Sequence, residues 1–246
     1  MQIRIKLLIL LLFATLSAAC SSIPAAPKED RAPTDPWEPM NRQLHGFNHQ
    51  LDRWTLKPIA KGYEAVIPGI FRTGIRNFSS NLRTPLNIIA SLLQGKGKKG
   101  LSETGRFVAN TTFGLLGVLD VATDMGLERQ NEDFGQVFAT WGIPDGPYVF
   151  IPIFGPRTVR DAFSIPLNIL ADPLFWYDNA SVRDKIYFTR LIDVRQSLLS
   201  REKLLDESQD PYVSIREAYL QNRLFLIYDG DPPVEDDDFD DFLDEE

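Results

Sequence analysis

The only thiol in the 246 residues is Cys20, and it directly follows Ser17, Ala18 and Ala19 at the end of an apolar run over residues 7–16 that Arg4 and Lys6 introduce. With no second cysteine it cannot close an intramolecular disulfide. A basic start, an apolar run too short to span a bilayer and a small-residue finish identify a lipoprotein export signal over residues 1–19, which leaves Cys20 as a lipidated N-terminus. Ser17 stands where the usual lipobox has leucine, with Leu16 one place earlier, so an ordinary secretory signal with a chance cysteine stays open. Ser21, in place of the aspartate that retains lipoproteins at the inner membrane, gives the outer membrane as the address.

Other chemistry is sparse. His45 and His49 lie one turn apart, a spacing that can ligate a metal, but Gly46 breaks the HExxH form and no third ligand is near. Two polar-face histidines opposite an apolar stripe are the simpler reading. No GxSxG nucleophile elbow occurs, and the carboxylate pairs Asp120 with Asp124 and Glu132 with Asp133 suit caps and solvated faces as well as acid–base work. Residues 95–100 read GKGKKG, which lacks the phosphate-cradle pattern and is expected to be a mobile basic turn. The sequence therefore assigns no catalytic residue, no metal and no cofactor.

The net charge of -8 is concentrated at one end, because eleven acidic and no basic side chains follow from Asp229 onward and everything before them sums to +3. Without a basic footprint the chain has no nucleic-acid partner. Residues 229–246 are expected to be a disordered acidic tail, with Phe239, Phe242 and Leu243 leaving open a short docking motif. Four prolines in residues 20–36 make an extended tether behind the lipid anchor.

Between tether and tail, residues 37–228 read as one mainly α domain. Asp35 and Pro36 form an N-cap and first helical position, and Met40, Leu44, Phe47, Leu51 and Trp54 recur as an apolar stripe until Pro58. A second helix is expected over 69–80, a restart at Thr84 and Pro85 closed by Gly95, and an uncharged segment over 107–119 with small breaks at Ala109, Gly114 and Gly117. Four prolines clamp residues 142–156 into a hairpin-like loop around an apolar run. An amphipathic helix follows over 181–205, with Val182, Ile186, Leu191, Val194 and Leu198 on one stripe, and a last helix starts at Asp210 and Pro211. PLNIIA at Pro85 and PLNILA at Pro166 echo each other, by chance or by duplication of a proline-started half-helix. Short apolar helices, no full span and four tryptophans at element edges suit a protein lying at a membrane interface; a water-soluble helical domain is the alternative.

Five motifs decide between them: DPWEPMNRQLHGFN from Asp35, NLRTPLNIIASLLQG from Asn81, RFVANTTFGLLGVLDVA from Arg106, EDFGQVFATWGIPDGPYVFIPIFGP from Glu132 with Arg160 and Asp161 after it, and DPYVSIREAYLQNR from Asp210. Together they resemble the VacJ/MlaA family of outer-membrane lipoproteins. The resemblance implies a ring-like bundle of short amphipathic helices set in the inner leaflet of the outer membrane. It also implies removal of misplaced phospholipids from the outer leaflet through a central channel, delivery to a soluble periplasmic carrier of the MlaC type, and association with a trimeric porin. An exported lipid-modifying hydrolase and a structural porin-associated tether are the alternatives. On this reading Asn81, Asn87, Asn110, Thr111 and Thr112 are candidates for a polar channel wall, with Gly105, Gly114 and Gly117 permitting close backbone turns, although helix capping explains any one asparagine. Tyr148, Val149, Phe150, Ile151, Pro152 and Phe154 are candidates for a porin-facing loop, since an exposed apolar segment needs a partner.

Overall fold

The computed structural model describes residues 35–233 apart from 203, 204 and 206. Cys20, the export signal, nearly all of the tether and residues 234–246 lie outside the described residues. Helices dominate, as expected: α1 (Glu38–Trp54), α2 (Leu56–Val66), α3 (Gly69–Leu93), α4 (Gly97–Thr112), α5 (Val121–Asp124), α6 (Phe134–Thr140), α7 (Val159–Ala171), α8 (Ala180–Leu198) and α9 (Pro211–Ile227). A hairpin of β1 (Tyr148–Ile151) and β2 (Gly155–Thr158) interrupts them, antiparallel and in register from Tyr148 opposite Thr158 to Ile151 opposite Gly155. Among the described residues no helix is long and apolar enough to cross a membrane.

The helices are amphipathic with their polarity turned inward. Most of the α1 stripe faces outward, with Trp54 71% exposed and Met40 and Phe47 about half exposed; Leu44 turns in against Tyr148, Phe150 and Tyr212, and the residue that α1 fully buries is Asn41. Helix α4 buries Glu103, Arg106 and Asn110 and exposes Leu101 and Val108. Helix α7 buries Arg160, Asp161 and Ser164 and leaves Phe163 75% exposed. Helix α8 lacks the clear amphipathic division expected of it: Val182, Leu191, Val194 and Leu198 are exposed, while Ile192 and Asp193 are both buried. Among the described residues eighteen polar or charged side chains are buried against eleven hydrophobic ones, and four of those eleven are alanines. Buried polar groups are the informative minority in a water-soluble domain; here they are the majority. All four tryptophans are exposed, and the indole N–H groups of Trp141 and Trp176 are nonetheless satisfied by the carbonyls of Leu93 at 3.0 Å and Leu170 at 2.8 Å. Each ring thus offers an apolar face without an unpaired donor.

Several local expectations are revised. Asp35 is not a helix cap: its buried carboxylate accepts from Asn41 at 2.8 Å, from the Tyr212 hydroxyl and from Arg216 at 3.3 Å, tying the start of α1 to α9. The first helix ends at Thr55, ahead of Pro58, which sits in the first turn of α2 where a missing N–H costs nothing. Helix α3 runs straight through Pro85, so Thr84 starts no new helix; its hydroxyl instead bonds the Ser80 carbonyl at 3.3 Å. Pro166 is also inside a helix, so neither copy of the echo begins one. Gly95, with φ of 75°, does close α3. GKGKKG is not a mobile turn, because Gly97 begins α4 and a side chain on Gly100 would strike Leu92. Lys96 and Lys99 each reach Asp229 at 2.7 Å and Glu132 at 3.6 Å, so carboxylates offset cations at a helix N-terminus where the dipole opposes them.

The hairpin over residues 142–156 is where it was expected, with β2 extending past Pro156. Its anchor is α1. Asn41 accepts from the Phe150 amide at 2.9 Å and donates to the Tyr148 carbonyl at 3.2 Å; one heptad on, Asn48 accepts from the Ile153 amide at 3.1 Å. Tyr148 and Phe150 face inward and, with Tyr212, form a buried aromatic cluster. Replacing Asn41 by leucine leaves a buried donor and a buried acceptor unpaired, each costing about 1–3 kcal/mol. We expect Asn41→Leu to lose about 3 kcal/mol in urea unfolding of the detergent-held protein; a loss below about 1 kcal/mol would remove Asn41 as the hairpin's anchor.

Candidate functional site

A cavity of about 610 Å³ opens among α3, α7, α8, α9, the residue before α6 and the hairpin turn. Its lining combines four guanidinium groups (Arg83, Arg157, Arg190, Arg223) and three carboxylates (Asp133, Asp161, Asp172) with apolar side chains such as Leu86, Ile165, Phe175 and Leu226. Such a mixture suits a ligand that is itself amphipathic.

Four of these charges, Arg83, Asp133, Asp161 and Arg223, come from three of the sequence motifs. Arg223 on α9 grips Asp133 through two bonds of 2.7 Å and also donates to Asp161 at 2.9 Å. Asp133 caps α6 by accepting from the Gln136 amide at 3.0 Å, and the Tyr219 hydroxyl donates to Asp161. A Cβ on Gly135 would fall 2.2 Å from the Arg223 guanidinium and 2.3 Å from the Asp161 carboxylate, so glycine makes room for the network. Burial pushes the Asp133 carboxyl up, but Arg223 and two backbone amides outweigh it and hold it below its ordinary value. Asp172 is occupied by Arg190 at 2.7 Å.

All three carboxylates are therefore engaged by Arg223 and Arg190. Arg83 and Arg157 have no ion-pair partner among the described residues; Arg157 donates to the carbonyl of Pro156 at 2.7 Å. Arg83 is exposed, yet burial and then the charge of Arg190 press its guanidinium below the ordinary value. A side chain whose open surface faces the cavity while protein crowds the rest accounts for both.

The two echoing segments meet near this cavity. Arg83 and Leu86 line it from α3, and Ser164, Ile165 and Asn168 line it from α7. Asn87 donates to the Gln130 carbonyl at 2.9 Å and Asn168 accepts from the Phe134 amide at 3.0 Å, so matching asparagines hold the two ends of one short segment.

The residues expected on a channel wall lie elsewhere. Asn81 is buried and donates to Thr111 at 3.0 Å and to the Leu116 carbonyl at 3.2 Å; Asn110 is buried, donating to Asp120 at 2.9 Å and accepting from the Ala122 amide at the same distance. Asn87 also donates to the buried Glu103 at 3.2 Å. Asn81, Thr111 and Asn87 brace α3 against α4 and Asn110 ties α4 to α5; none lines the cavity, and Thr112 is exposed. Gly114 and Gly117 do mark close approaches: a Cβ would come 2.2 Å from the Leu119 carbonyl and 2.4 Å from Asn81, and Gly117 has φ of 94°. Gly105 lies against Leu127. A second cavity, about 690 Å³, is lined largely by Ile70, Phe71, Phe78, Val118 and Leu119, beside the Asp120 carboxylate that Arg106 binds at 2.8 Å.

In the hairpin, Tyr148 and Phe150 point into the core, Val149 and Ile151 are half-buried, and the turn exposes Pro152, Ile153 and Phe154. Of the six residues expected to face a porin, only Pro152 and Phe154 are therefore exposed. His45 is not on a solvated face either: it packs edge-on against Phe150 at 5.4 Å and Tyr212 at 5.8 Å, 6.4 Å from His49, and burial lowers its pKa. Among the described residues no group of three or more His, Cys, Asp or Glu is placed to hold a metal ion. Sequence reading missed Arg83, Arg157 and Arg190; for Arg83 and Arg190 the available signal was a lone cation inside an otherwise apolar or hydroxyl-bearing helical stretch, whereas Arg157 lies on β2.

Comparison with known proteins adds an independent line. A family model described as MlaA lipoprotein matches residues 33–226. The Haemophilus influenzae protein named intermembrane phospholipid transport system lipoprotein MlaA is 32% identical over 201 residues, covering 80% of each chain. The Escherichia coli protein of the same name is 31% identical over 232 residues, 93% of this chain and 91% of its own. A solved structure described as the structural basis for maintenance of bacterial outer membrane lipid asymmetry superposes with a TM-score of 0.71 at 33% identity, covering 79% of this chain and 99% of that one.

Removing Arg223 strands the Asp133 carboxylate and leaves Asp161 with Arg160 at 3.4 Å and the Tyr219 hydroxyl, a loss of about 3–5 kcal/mol. We expect Arg223→Gln to lower stability by that amount at pH 7. Because the Asp133 pKa is depressed in the folded chain, this contribution is present above the ordinary value of 3.8 and disappears as the pH falls below it. Unfolding curves of both proteins should therefore converge in acid; a gap that is constant with pH would contradict the network.

Proposed function

The chain belongs to the MlaA lipoprotein family, and on that premise we propose that it is an outer-membrane lipoprotein that moves misplaced phospholipids out of the outer leaflet and so maintains lipid asymmetry. The observation that carries this reading is the inverted polarity of the body around an amphipathic cavity. Exposed apolar faces on α1, α4 and α7 are costly in water and costless against acyl chains, since fully burying one large apolar side chain contributes about 1.5–3 kcal/mol. A ring-like body lying in the inner leaflet, on the periplasmic side and anchored through Cys20, would expose those faces to lipid. Its polar interior would pass a headgroup that the hydrocarbon excludes.

On this reading the 610 Å³ cavity is a section of the lipid path, lined by charged and hydroxyl groups beside apolar ones. Asn81, Asn87, Asn110 and Thr111 serve as braces that hold α3 and α4 in place beside it, with Gly105, Gly114 and Gly117 allowing the close turns. Passage down a gradient of lipid chemical potential needs no nucleotide and no cofactor. A soluble periplasmic carrier of the MlaC type would receive the lipid, and a trimeric porin would seat the body through the exposed hairpin turn.

Two experiments test this. Deleting the gene should raise phospholipid at the cell surface, and the purified lipoprotein in vesicles should pass labelled phospholipid intact to a carrier; unchanged surface lipid with no transfer, or release of lyso products, would overturn transport. Photo-crosslinkers at Ile153 and Phe154 should capture a porin, whereas one at Phe150 should not. Capture from Phe150 alone, or from none of the three, would remove the hairpin turn as the contact.

A further inference from the structure

We propose that the cavity selects phospholipids by the charge of the headgroup, with Arg83 and Arg157 forming a phosphate-binding pair that favours net-anionic lipids over zwitterionic ones. The inference rests on the transport reading and names the substrate class that this path prefers.

Charge accounting in the lining leads to it. Four guanidinium groups and three carboxylates share the cavity, and every carboxylate is already bound. Arg223 serves Asp133 and Asp161, and Arg190 serves Asp172. The positive charge left over resides on Arg83 and Arg157, each without a carboxylate partner among the described residues. Desolvation and the charges of Arg190 and Arg157 disfavour the Arg83 cation by more than the charges of Asp133 and Asp172 favour it, and no carboxylate among the described residues pairs with it directly. An anion entering the cavity relieves that repulsion. Guanidinium groups match a phosphate oxygen pair with two parallel N–H donors, and they do so best where water is thin.

The apolar lining decides which phosphate. Ile165, Ile169, Phe175 and Leu226 border the same space, so a phosphate ester carrying acyl chains gains contacts that inorganic phosphate or glycerol phosphate cannot. Both arginines would hold any phosphodiester. In a zwitterionic headgroup, however, the amine brings a second cation into a lining that already has one in excess, whereas phosphatidylglycerol brings none. The preference follows from like-charge repulsion in a partly desolvated space.

Arg83→Gln and Arg157→Gln are suitable probes, because removing an unpaired cation strands no carboxylate; Arg223→Gln would instead break the ion network. With the full-length lipidated protein in detergent, binding of dihexanoyl phosphatidylglycerol, dihexanoyl phosphatidylcholine and sn-glycerol 3-phosphate is measured by titration calorimetry. The wild type should bind the anionic lipid about tenfold more tightly than the zwitterionic one, because the amine of the latter is repelled by the excess cation of the lining, and glycerol phosphate weakly. The double variant should bind the two lipids equally, with its circular dichroism unchanged. Equal affinities in the wild type, an undiminished preference in the double variant, or glycerol phosphate binding as tightly as lipid would each overturn the proposal. Indiscriminate binding of both lipids would leave the transport reading standing, whereas failure to bind either would remove that reading as well.

Discussion

The fold depends on pairing polar groups that have been taken inside. Arg223 shows the constraint at its sharpest, since one guanidinium neutralises two carboxylates in a space that only a glycine at position 135 leaves open. Glu103 and Arg106 repeat the arrangement between α4 and the segment after it: Glu103 accepts from the Gln130 amide at 2.9 Å, and Arg106 binds Asp120 at 2.8 Å. A water-soluble domain of this size would place a leucine core at such positions. Here the interior is held by directional bonds, each of which is expensive to leave unmade, so the helices have little freedom to slide against one another.

That choice explains what could and could not be read from the residues. Periodicity located α1 and α8, because a 3.6-residue repeat is the same whichever way the stripe points, and the Asp210–Pro211 start located α9. It could not say that most of the stripe from Met40 to Trp54 faces out and that Asn41 faces in, since that sign is set by the solvent outside and not by the chain. Pro85 and Pro166 were misleading as helix starts for a related reason: neighbouring elements hold both helices together through the break, as the Asn87 and Asn168 bonds to the 130–134 segment illustrate. The lysines of GKGKKG looked solvated until Glu132 and Asp229, distant in sequence, supplied the counter-charges. Candidate channel residues were chosen as polar groups in apolar stretches, a sound criterion for being inside that does not separate a brace from a lining. The cavity's arginines come from four separate elements, and no local pattern unites them.

The hairpin combines both kinds of legibility. Its clamped, extended character was evident from four prolines, and alternation along β1 sends Tyr148 and Phe150 one way and Val149 and Ile151 the other. Which pair faced the core depended on α1, whose Asn41 and Asn48 grip the strand and the turn from one side.

Ile153 adopts φ of 70°, a conformation that a β-branched residue rarely accepts, and Asn48 holds its amide in place. The knuckle formed by Pro152, Ile153 and Phe154 is thus tied to α1 through its own backbone. A turn fastened to a helix in this way has fewer conformations to give up than an untethered one of the same composition, so whatever its three protruding side chains meet is met at a lower entropic cost.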